Sequence, residues 1–255
     1  MLALLAVTLV VCAPGYPGST AEAKPAMDAL AAAIARTAHL PSSSVAAVYD
    51  ETEAACLRRL ADKDAALLLS PLPFFLAHEQ ELRLAARLSA MPQDAEALER
   101  WTLVTGKDHP PSLDGYTVVS SAGYAKRFVR AAAPKLPANA VIEPAPAVLS
   151  ALRKAANGEK VAVLLDGAQA AAMNTLPFAG SLAVVATSPE MPASVLATVG
   201  KRLDEQRWND LEAAFLRLAE DRSARTALDG VRIAGFVPLD EQALAAARAA
   251  WRRAK

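Results

Sequence analysis

Short polar loops follow the apolar, β-rich runs of this sequence at five places. They lie at 14–20, 70–71, 120–124, 166–167 and 187–188. Three of the loops place a hydroxyl at or next to the start of a predicted helix, where free backbone N–H groups and the positive end of the helix dipole favour an anion. Because no lysine or arginine lies inside the loops, neutral donors would hold a phosphate, phosphonate or carboxylate group reversibly.

The hydroxyls of these loops have two roles open to them. The residues predicted to contact a ligand through a hydroxyl or the backbone are Ser19, Thr20, Ser70, Ser120, Ser121, Gly123 and Ser188. A serine before a helix is more often a plain N-cap, and that role stays open for Ser19, Ser70 and Ser121. The anion hypothesis therefore depends on one fold bringing several of these loops together.

Asp166 is the acidic residue that follows a predicted strand and has a glycine beside it. A carboxylate near a bound anion would repel inorganic phosphate, so we expect one of two arrangements. Either the ligand is a zwitterion whose amino group pairs with Asp166, or Asp166 caps its own helix without touching the ligand. The rings of Tyr16, Phe74 and Tyr124 either line the ligand cleft or pack in the core.

Motifs for nucleotide binding, acyl transfer and metal binding are missing from the sequence. Gly15 and Gly18 are not followed by the GK[ST] of a phosphate-binding loop, and neither G-x-G-x-x-G nor G-x-S-x-G occurs. Cys12 and Cys56 form no C-x-x-C pair and have no neighbouring histidine, so we expect no metal site and no cofactor. The two cysteines are expected to be small buried side chains, while a disulfide between them stays open.

The charge balance argues against a nucleic-acid partner. Lys plus Arg and Asp plus Glu each number 27, so no net positive charge attracts nucleic acid or an anionic membrane. The composition, 53% hydrophobic but only 5% aromatic, favours Ala-rich helices packed on strands of Val and Leu. The length of 255 residues suits two lobes of ordinary size, and we expect a monomer.

Strands and helices alternate along the chain, which predicts parallel-rich sheets in which ligands bind outside the carboxyl ends of the strands. We predict one helix from about 122 to 132 and another with Ser70 as N-cap and Pro71 as first residue. The β-rich runs 101–105 and 194–199 should lie side by side as the crossings between lobes. The predicted lobe 1 contains 1–103 and 190–255, and lobe 2 contains 104–189.

Residues 1–13 form an apolar run that is too short to span a membrane and has no basic residue in front of it. We interpret 7–13 as the first buried strand. The residues upstream would then be the remnant of an incomplete or atypical export signal.

Several segments together resemble a known family. In chain order they are PGYPGST, LLLSPLPFF, ERWTLVTGK, LDGYTVVSSAGY, LRKAANGEKVAVLLDG and LDGVRIAGFVPLD. Their order along nearly the whole chain is similar to that of the phosphate/phosphonate group of ABC-transporter substrate-binding proteins. The resemblance implies the type II periplasmic binding-protein fold. In that fold each of two α/β lobes has a mostly parallel sheet flanked by helices, and two crossing strands form the hinge.

The resemblance also implies a function. A protein of this family is a periplasmic solute-binding protein, and it captures a small oxyanion between its lobes for an ABC permease without catalysing a reaction. It further implies that the Ser70 loop and the segment 120–124 donate hydrogen bonds to the oxyanion. The position near Asp166 would meet an amino group of the ligand.

Two other functions remain open because a fold does not fix an activity. Some menaquinone-pathway enzymes resemble these binding proteins, and an enzyme of that kind would act on a small carboxylate with Asp166 as its acid or base. A solute sensor without a transporter would keep the same ligand cleft.

Overall fold

The computed structural model describes residues 6–16, 18–93 and 95–254. The predicted export-signal remnant, upstream of residue 7, lies almost entirely outside these ranges. Contacts among the described residues divide the chain into two units. The first contains 6–13, 18–93, 95–97 and 192–240, and the second contains 14–16, 98–191 and 241–254.

The strands, in chain order, are β1 Val7–Cys12, β2 Val45–Asp50, β3 Ala65–Pro71, β4 Leu84–Pro92, β5 Leu98–Glu99, β6 Thr102–Gly106, β7 Thr117–Ser120, β8 Val141–Pro144, β9 Val161–Leu165, β10 Leu182–Thr187, β11 Met191–Pro192, β12 Ser194–Val199 and β13 Ile233–Pro238. The α-helices are α1 Thr20–Thr37, α2 Glu53–Leu60, α3 Leu72–His78, α4 Lys126–Ala132, α5 Leu149–Ala156, α6 Gly167–Met173, α7 Glu205–Arg217, α8 Arg225–Gly230 and α9 Glu241–Arg253. Short 3-10 helices lie at Ser42–Ser44, Ala179–Ser181 and Leu218–Glu220. Within the described ranges, none of the helices is long and apolar enough to cross a membrane.

The first unit is built on a six-stranded sheet in the order β13-β4-β12-β3-β1-β2. β1 pairs in parallel with β2 and β3, whereas β12 runs antiparallel to β3 and β4. Every residue of β1 is buried, and such a run, apolar except at Thr8, is typical of a strand covered on both faces. The core of this unit includes Met27 and Leu30 of α1 together with Trp208 of α7.

A disulfide joins Cys12, at the end of β1, to Cys56 in α2. Both residues are buried. The predicted burial of the two cysteines is confirmed, and the disulfide that the sequence left open is present. The spacing of 44 residues could not show this, because only the packing of α2 against β1 brings the two cysteines together.

The second unit is built on a five-stranded sheet in the order β10-β6-β9-β7-β8. β7 pairs in parallel with β8 and β9, whereas β6 runs antiparallel to β9 and β10. Val104 of β6 and Val163 of β9 form a core with Leu152 of α5. Each sheet is therefore mixed, whereas the alternation of strands and helices predicted mostly parallel sheets. The difference arises because strands from other parts of the chain join each sheet in the antiparallel direction.

The last helix, α9, packs in the second unit. The guanidinium of Arg127 in α4 lies 4.9 Å from the ring centroid of Trp251, and it donates to the carbonyls of Trp251 and Ala254 at 2.9 and 3.0 Å. The predicted lobes had placed this helix in lobe 1 and had left 98–103 there as well. Whether the two units act as functional lobes stays a prediction.

The predicted pairing of 101–105 with 194–199 is wrong. β6 belongs to the sheet of the second unit and β12 to the sheet of the first. The two-residue strands β5 and β11 pair with each other instead, and each lies where the chain passes from one unit to the next. The two longer runs share an apolar character because each is buried inside its own sheet.

Two predicted helix starts are also wrong. Ser70 pairs with Val195 inside the sheet, so β3 runs through it and α3 begins later without a side-chain cap. α4 begins at Lys126 rather than near 122. The intervening residues form tight turns, in which the N–H of Gly123 donates to the carbonyl of Ser120 at 3.0 Å.

Candidate ligand-binding site

Asp166 follows β9 directly and begins α6, with its side chain buried. Its Oδ1 accepts a hydrogen bond from the N–H of Gln169 at 2.8 Å, and the amide oxygen of Gln169 accepts the N–H of Asp166 at 3.2 Å. This reciprocal capping box satisfies two N–H groups at the helix start. The capping role that the sequence left open for Asp166 is therefore present, and it uses only one carboxylate oxygen.

Tyr16 binds the other oxygen of Asp166. Its hydroxyl donates to Oδ2 at 3.2 Å across a sequence separation of 150 residues. Gly15 permits this approach, since its φ is +86° and a Cβ there would overlap the backbone carbonyl of Ser121. Only glycine therefore lets the 14–16 loop lie against Ser121 with Tyr16 directed to the carboxylate.

Glu99 lies on β5 and completes an acidic pair with Asp166. Its Oε2 accepts the N–H of Gly167 at 3.0 Å. The side chain is half-buried. Two carboxyl groups from distant parts of the sequence thus lie at the start of the same short helix, α6.

Burial raises the pKa of both carboxyls. It raises the pKa of Glu99 to about 8, the charge of Asp166 adds to this, and the N–H of Gly167 partly offsets it. Burial also raises the pKa of Asp166, against hydrogen bonds from Gln169 and Tyr16 that lower it. The pKa of Tyr16 is held well above its usual range by burial and then by the charges of Asp166 and Glu99. A cation at this site would stabilise the ionised carboxyls.

Ser121 lies beside the 14–16 loop. Its hydroxyl is buried and has no hydrogen-bond partner among the described residues. Tyr124, half-buried in the same turn, contributes to the raised pKa of Tyr16. Because a buried hydroxyl usually has a partner, Ser121 is the strongest candidate for an oxyanion donor in the second unit.

Three other predicted contacts in the second unit have structural partners. The hydroxyl of Ser120 donates to a carbonyl of β9 at 2.8 Å. The hydroxyl of Ser188 donates to the carbonyl of the next residue at 2.7 Å and accepts the N–H of Trp101 at 2.9 Å. Gly123 fits against β8, where a Cβ would lie 2.5 Å from a carbonyl oxygen. Contact of these residues with a ligand stays a prediction.

Ser19 and Thr20 lie at the start of α1 in the first unit. The hydroxyl of Ser19 accepts the N–H of Glu22 at 3.3 Å and donates to Glu22 Oε2 at 2.7 Å, so its N-cap role is confirmed. The N–H and hydroxyl of Thr20 both donate to Oε2 of Glu51, at 2.6 and 2.8 Å. All of these donors are therefore engaged by carboxylates of the chain itself.

Ser70 and Phe74 lie in the interior of the first unit. The hydroxyl of Ser70 is buried and has no partner among the described residues. Phe74 is fully buried, and its ring centroid lies 4.6 Å from that of His78. Of the two roles open to Phe74, the structure shows core packing.

Two further features of the described residues lie apart from the acidic pair. No group of three or more His, Cys, Asp or Glu could hold a metal ion in the described ranges. An open cavity of about 480 Å³ lies beside α8 and β13 in the first unit, and its polar lining comes from Gln93, Arg225 and Asp229. None of the predicted ligand contacts lines this cavity.

The sequence did not single out Glu99 or Glu51. Glu99 sits in a polar stretch before a strand of only two residues, and no local pattern distinguishes it from a solvated side chain. Its 67-residue distance from Asp166 is closed only by the fold, as the bond to Gly167 shows. The only indication in the sequence that Glu99 could belong to a site was its position, since it lies just before the predicted crossing at 101–105.

Residues 150–244 match the model of a family described as "ABC transporter, phosphonate, periplasmic substrate-binding protein". The match covers 95 of the 255 residues. It agrees with the family predicted from the sequence segments and with the solute-binding role that the resemblance implies. Among curated proteins, none matches the sequence of this chain.

Solved structures share the fold of this chain at low sequence identity. XAC2383 from Xanthomonas citri, bound to chloride ion, is 16% identical, with a TM-score of 0.73 over 97% of this chain and 98% of that one. A binding protein component of an ABC phosphonate transporter from Pseudomonas aeruginosa is 13% identical, with a TM-score of 0.63 over 94% and 83%. PhnD1 from Prochlorococcus marinus, in complex with methylphosphonate, is 14% identical, with a TM-score of 0.59 over 96% and 97%. The predicted fold class, a two-lobed α/β periplasmic binding protein, is confirmed.

Proposed function

We propose that this substrate-binding protein takes up a small zwitterion that carries an ammonium group and an oxyanion, such as an aminophosphonate. The observation that carries the proposal is the pairing of Glu99 and Asp166 at the start of α6. Their bonds to Gly167 and Tyr16 hold both carboxyls in one place. Inorganic phosphate offers no positive charge to such a pair.

The acidic pair favours a cation for an electrostatic reason. Two carboxyls in a partly buried site do not ionise independently, which is why the pKa of Glu99 rises to about 8. An ammonium group in hydrogen-bond reach would stabilise the ionised form of both. Oδ2 of Asp166, which accepts a 3.2 Å bond from Tyr16, keeps capacity to accept another donor.

The oxyanion of the ligand would be held by neutral donors. The buried hydroxyl of Ser121 has no partner among the described residues, and it lies on the turn that contacts Gly15, next to Tyr16. The binding of methylphosphonate by PhnD1 from Prochlorococcus marinus supports a phosphonate as the oxyanion. Contacts from Ser70, Ser120, Gly123, Tyr124 and Ser188 remain part of this proposal.

We further infer a transport role in the periplasm, with an ABC permease as partner and the protein acting as a monomer. The family description, which names a periplasmic protein of an ABC transporter, supports the location and the permease partner. Catalysis is disfavoured because Oδ1 of Asp166 is committed to its helix cap at 2.8 Å, which suits a fixed binding group better than a base. A bound ligand should therefore be recovered unchanged, as NMR of the released ligand would show.

Calorimetric titration with an amino-bearing ligand and its amino-free analogue tests the proposal. Wild-type protein should bind 2-aminoethylphosphonate more tightly than ethylphosphonate, by about tenfold or more, the value of one good charge-assisted pair. In Glu99→Gln and Asp166→Asn this preference should shrink. The affinity for 2-aminoethylphosphonate should fall, whereas that for ethylphosphonate should not, because loss of a carboxylate lowers the repulsion of its anionic group. Glu159→Gln, which removes an exposed carboxylate of the same unit, is the control. Equal losses for both ligands, or no preference in the wild type, would contradict the ammonium role.

A further inference from the structure

A carboxylate of the chain itself occupies the start of α1. The N–H and the hydroxyl of Thr20 both donate to Oε2 of Glu51, at 2.6 and 2.8 Å. Glu51 follows β2 and comes from 31 residues away in sequence, so this bond is not the local cap of the helix. The local cap is Ser19, which serves the N–H of Glu22.

Two residues at this helix start, Ser19 and Thr20, therefore donate hydrogen bonds to carboxylates of the chain. Ser19 gives its hydroxyl proton to Glu22 at 2.7 Å, and Thr20 gives both of its donors to Glu51. α1 is 18 residues long, and its positive end would otherwise attract an anion. With Glu22 and Glu51 in place, an oxyanion that approaches Ser19 and Thr20 meets two carboxylates.

The Glu51 side chain carries its negative charge at neutral pH, and this charge acts on neighbouring groups. Hydrogen bonds from the hydroxyl and then the N–H of Thr20 lower the pKa of Glu51, so the side chain stays ionised at neutral pH. The nearby Tyr49 responds to it, because burial and then the charge of Glu51 raise the pKa of the Tyr49 phenol.

We propose that Glu51 is a specificity-determining residue that keeps oxyanions away from Ser19 and Thr20. The anionic group of the ligand is then held without these two hydroxyls, contrary to the role predicted for them from the sequence. This inference rests on the proposed solute-binding function, which it deepens.

Removing the charge of Glu51 tests the inference with inorganic phosphate as the probe. In calorimetric titrations at constant ionic strength, Glu51→Ala, which removes both the charge and the acceptor of the Thr20 donors, should bind phosphate at least about fivefold more tightly than wild type. That factor corresponds to the repulsion between two unit charges about 4 Å apart in water. The gain should shrink when Thr20→Val is added, because the hydroxyl of Thr20 is one of the two donors that Glu51 had occupied.

Glu22→Ala is the matched control. It removes one negative charge from the first turn of α1 but leaves both donors of Thr20 bound to Glu51. The inference is overturned if Glu51→Ala binds phosphate no better than wild type, if Glu22→Ala gains equally, or if the gain is undiminished by Thr20→Val. The phosphate titrations do not depend on the binding of 2-aminoethylphosphonate. A wild type that does not bind 2-aminoethylphosphonate would therefore contradict the proposed function, but the comparison of phosphate affinities would still test the role of Glu51.

Discussion

Glutamine in place of Glu99 should stabilise the protein in alkaline solution and remove much of the pH dependence of its stability. The pKa of Glu99 is about 8 in the folded protein, against an ordinary value of 4.5. The folded state therefore holds a proton that the unfolded chain releases between these values. The stability from this proton is fully present below pH 4.5 and is lost as the pH rises through 8.

The size of the effect follows from the width of that window. From 4.5 to 8 is about 3.5 pH units, and at about 1.4 kcal/mol for each unit the ceiling is about 5 kcal/mol. Glu99 is half-buried and titrates beside Asp166, so we expect about 2 to 3 kcal/mol of unfolding free energy. The bond from Gly167 should survive in the variant, because the amide oxygen of glutamine accepts the same N–H.

Urea unfolding from about pH 5 to pH 9 measures this difference. In a Trp208→Phe background, the remaining tryptophans Trp101 and Trp251 both belong to the second unit, so their fluorescence reports on the unit that contains Glu99. The wild type should lose about 2 to 3 kcal/mol across this range, and Glu99→Gln should lose much less. Glu159→Gln in the same background should follow the wild type.

The reasoning is refuted if the Glu99→Gln and wild-type proteins show parallel pH profiles. It is also refuted if the variant is less stable than the wild type at pH 9, since the ionised carboxylate would then be stabilising in its folded environment.

Two further predictions concern the frame of the molecule. Gly15→Ala should destabilise the protein by about 2 kcal/mol or more, because a side chain at φ +86° is strained and its Cβ would overlap the carbonyl of Ser121. Urea unfolding measures the loss, and an unchanged midpoint would contradict the prediction. Replacing Cys12 and Cys56 together by serine should cost about 4 kcal/mol, from the entropy of closing a loop of 44 residues. Denaturation of the double variant tests this, and a stability equal to that of the oxidised wild type would contradict it.

The strands and several helix starts could be predicted from local sequence. The run Val7–Cys12 is apolar at every position except Thr8, and the structure buries all of it. The capping roles weighed for Ser19 and Asp166 are both present, because a cap depends on residues three apart in the sequence.

Features that depend on contacts between residues far apart in the sequence could not be predicted from local sequence. Ser70 before a proline has the local form of an N-cap, but its pairing with Val195 keeps it in the sheet. The acidic pair depends on Glu99 meeting α6 through the N–H of Gly167, a contact that no periodicity records. Glu51 reaches Thr20 in the same non-local manner, so the donors predicted at 19–20 are already engaged.

Proton release on ligand binding tests the central claim most directly. If an ammonium group pairs with Glu99 and Asp166, binding must ionise Glu99, which is about three-quarters protonated at pH 7.5 when its pKa is about 8. Calorimetry of 2-aminoethylphosphonate binding in buffers of different ionisation enthalpy counts the protons, and Glu99→Gln corrects for titration of the ligand itself. The wild type should release about 0.75 proton more than the variant. Equal proton release by both proteins, with binding intact, would show that the ligand's amino group does not pair with Glu99.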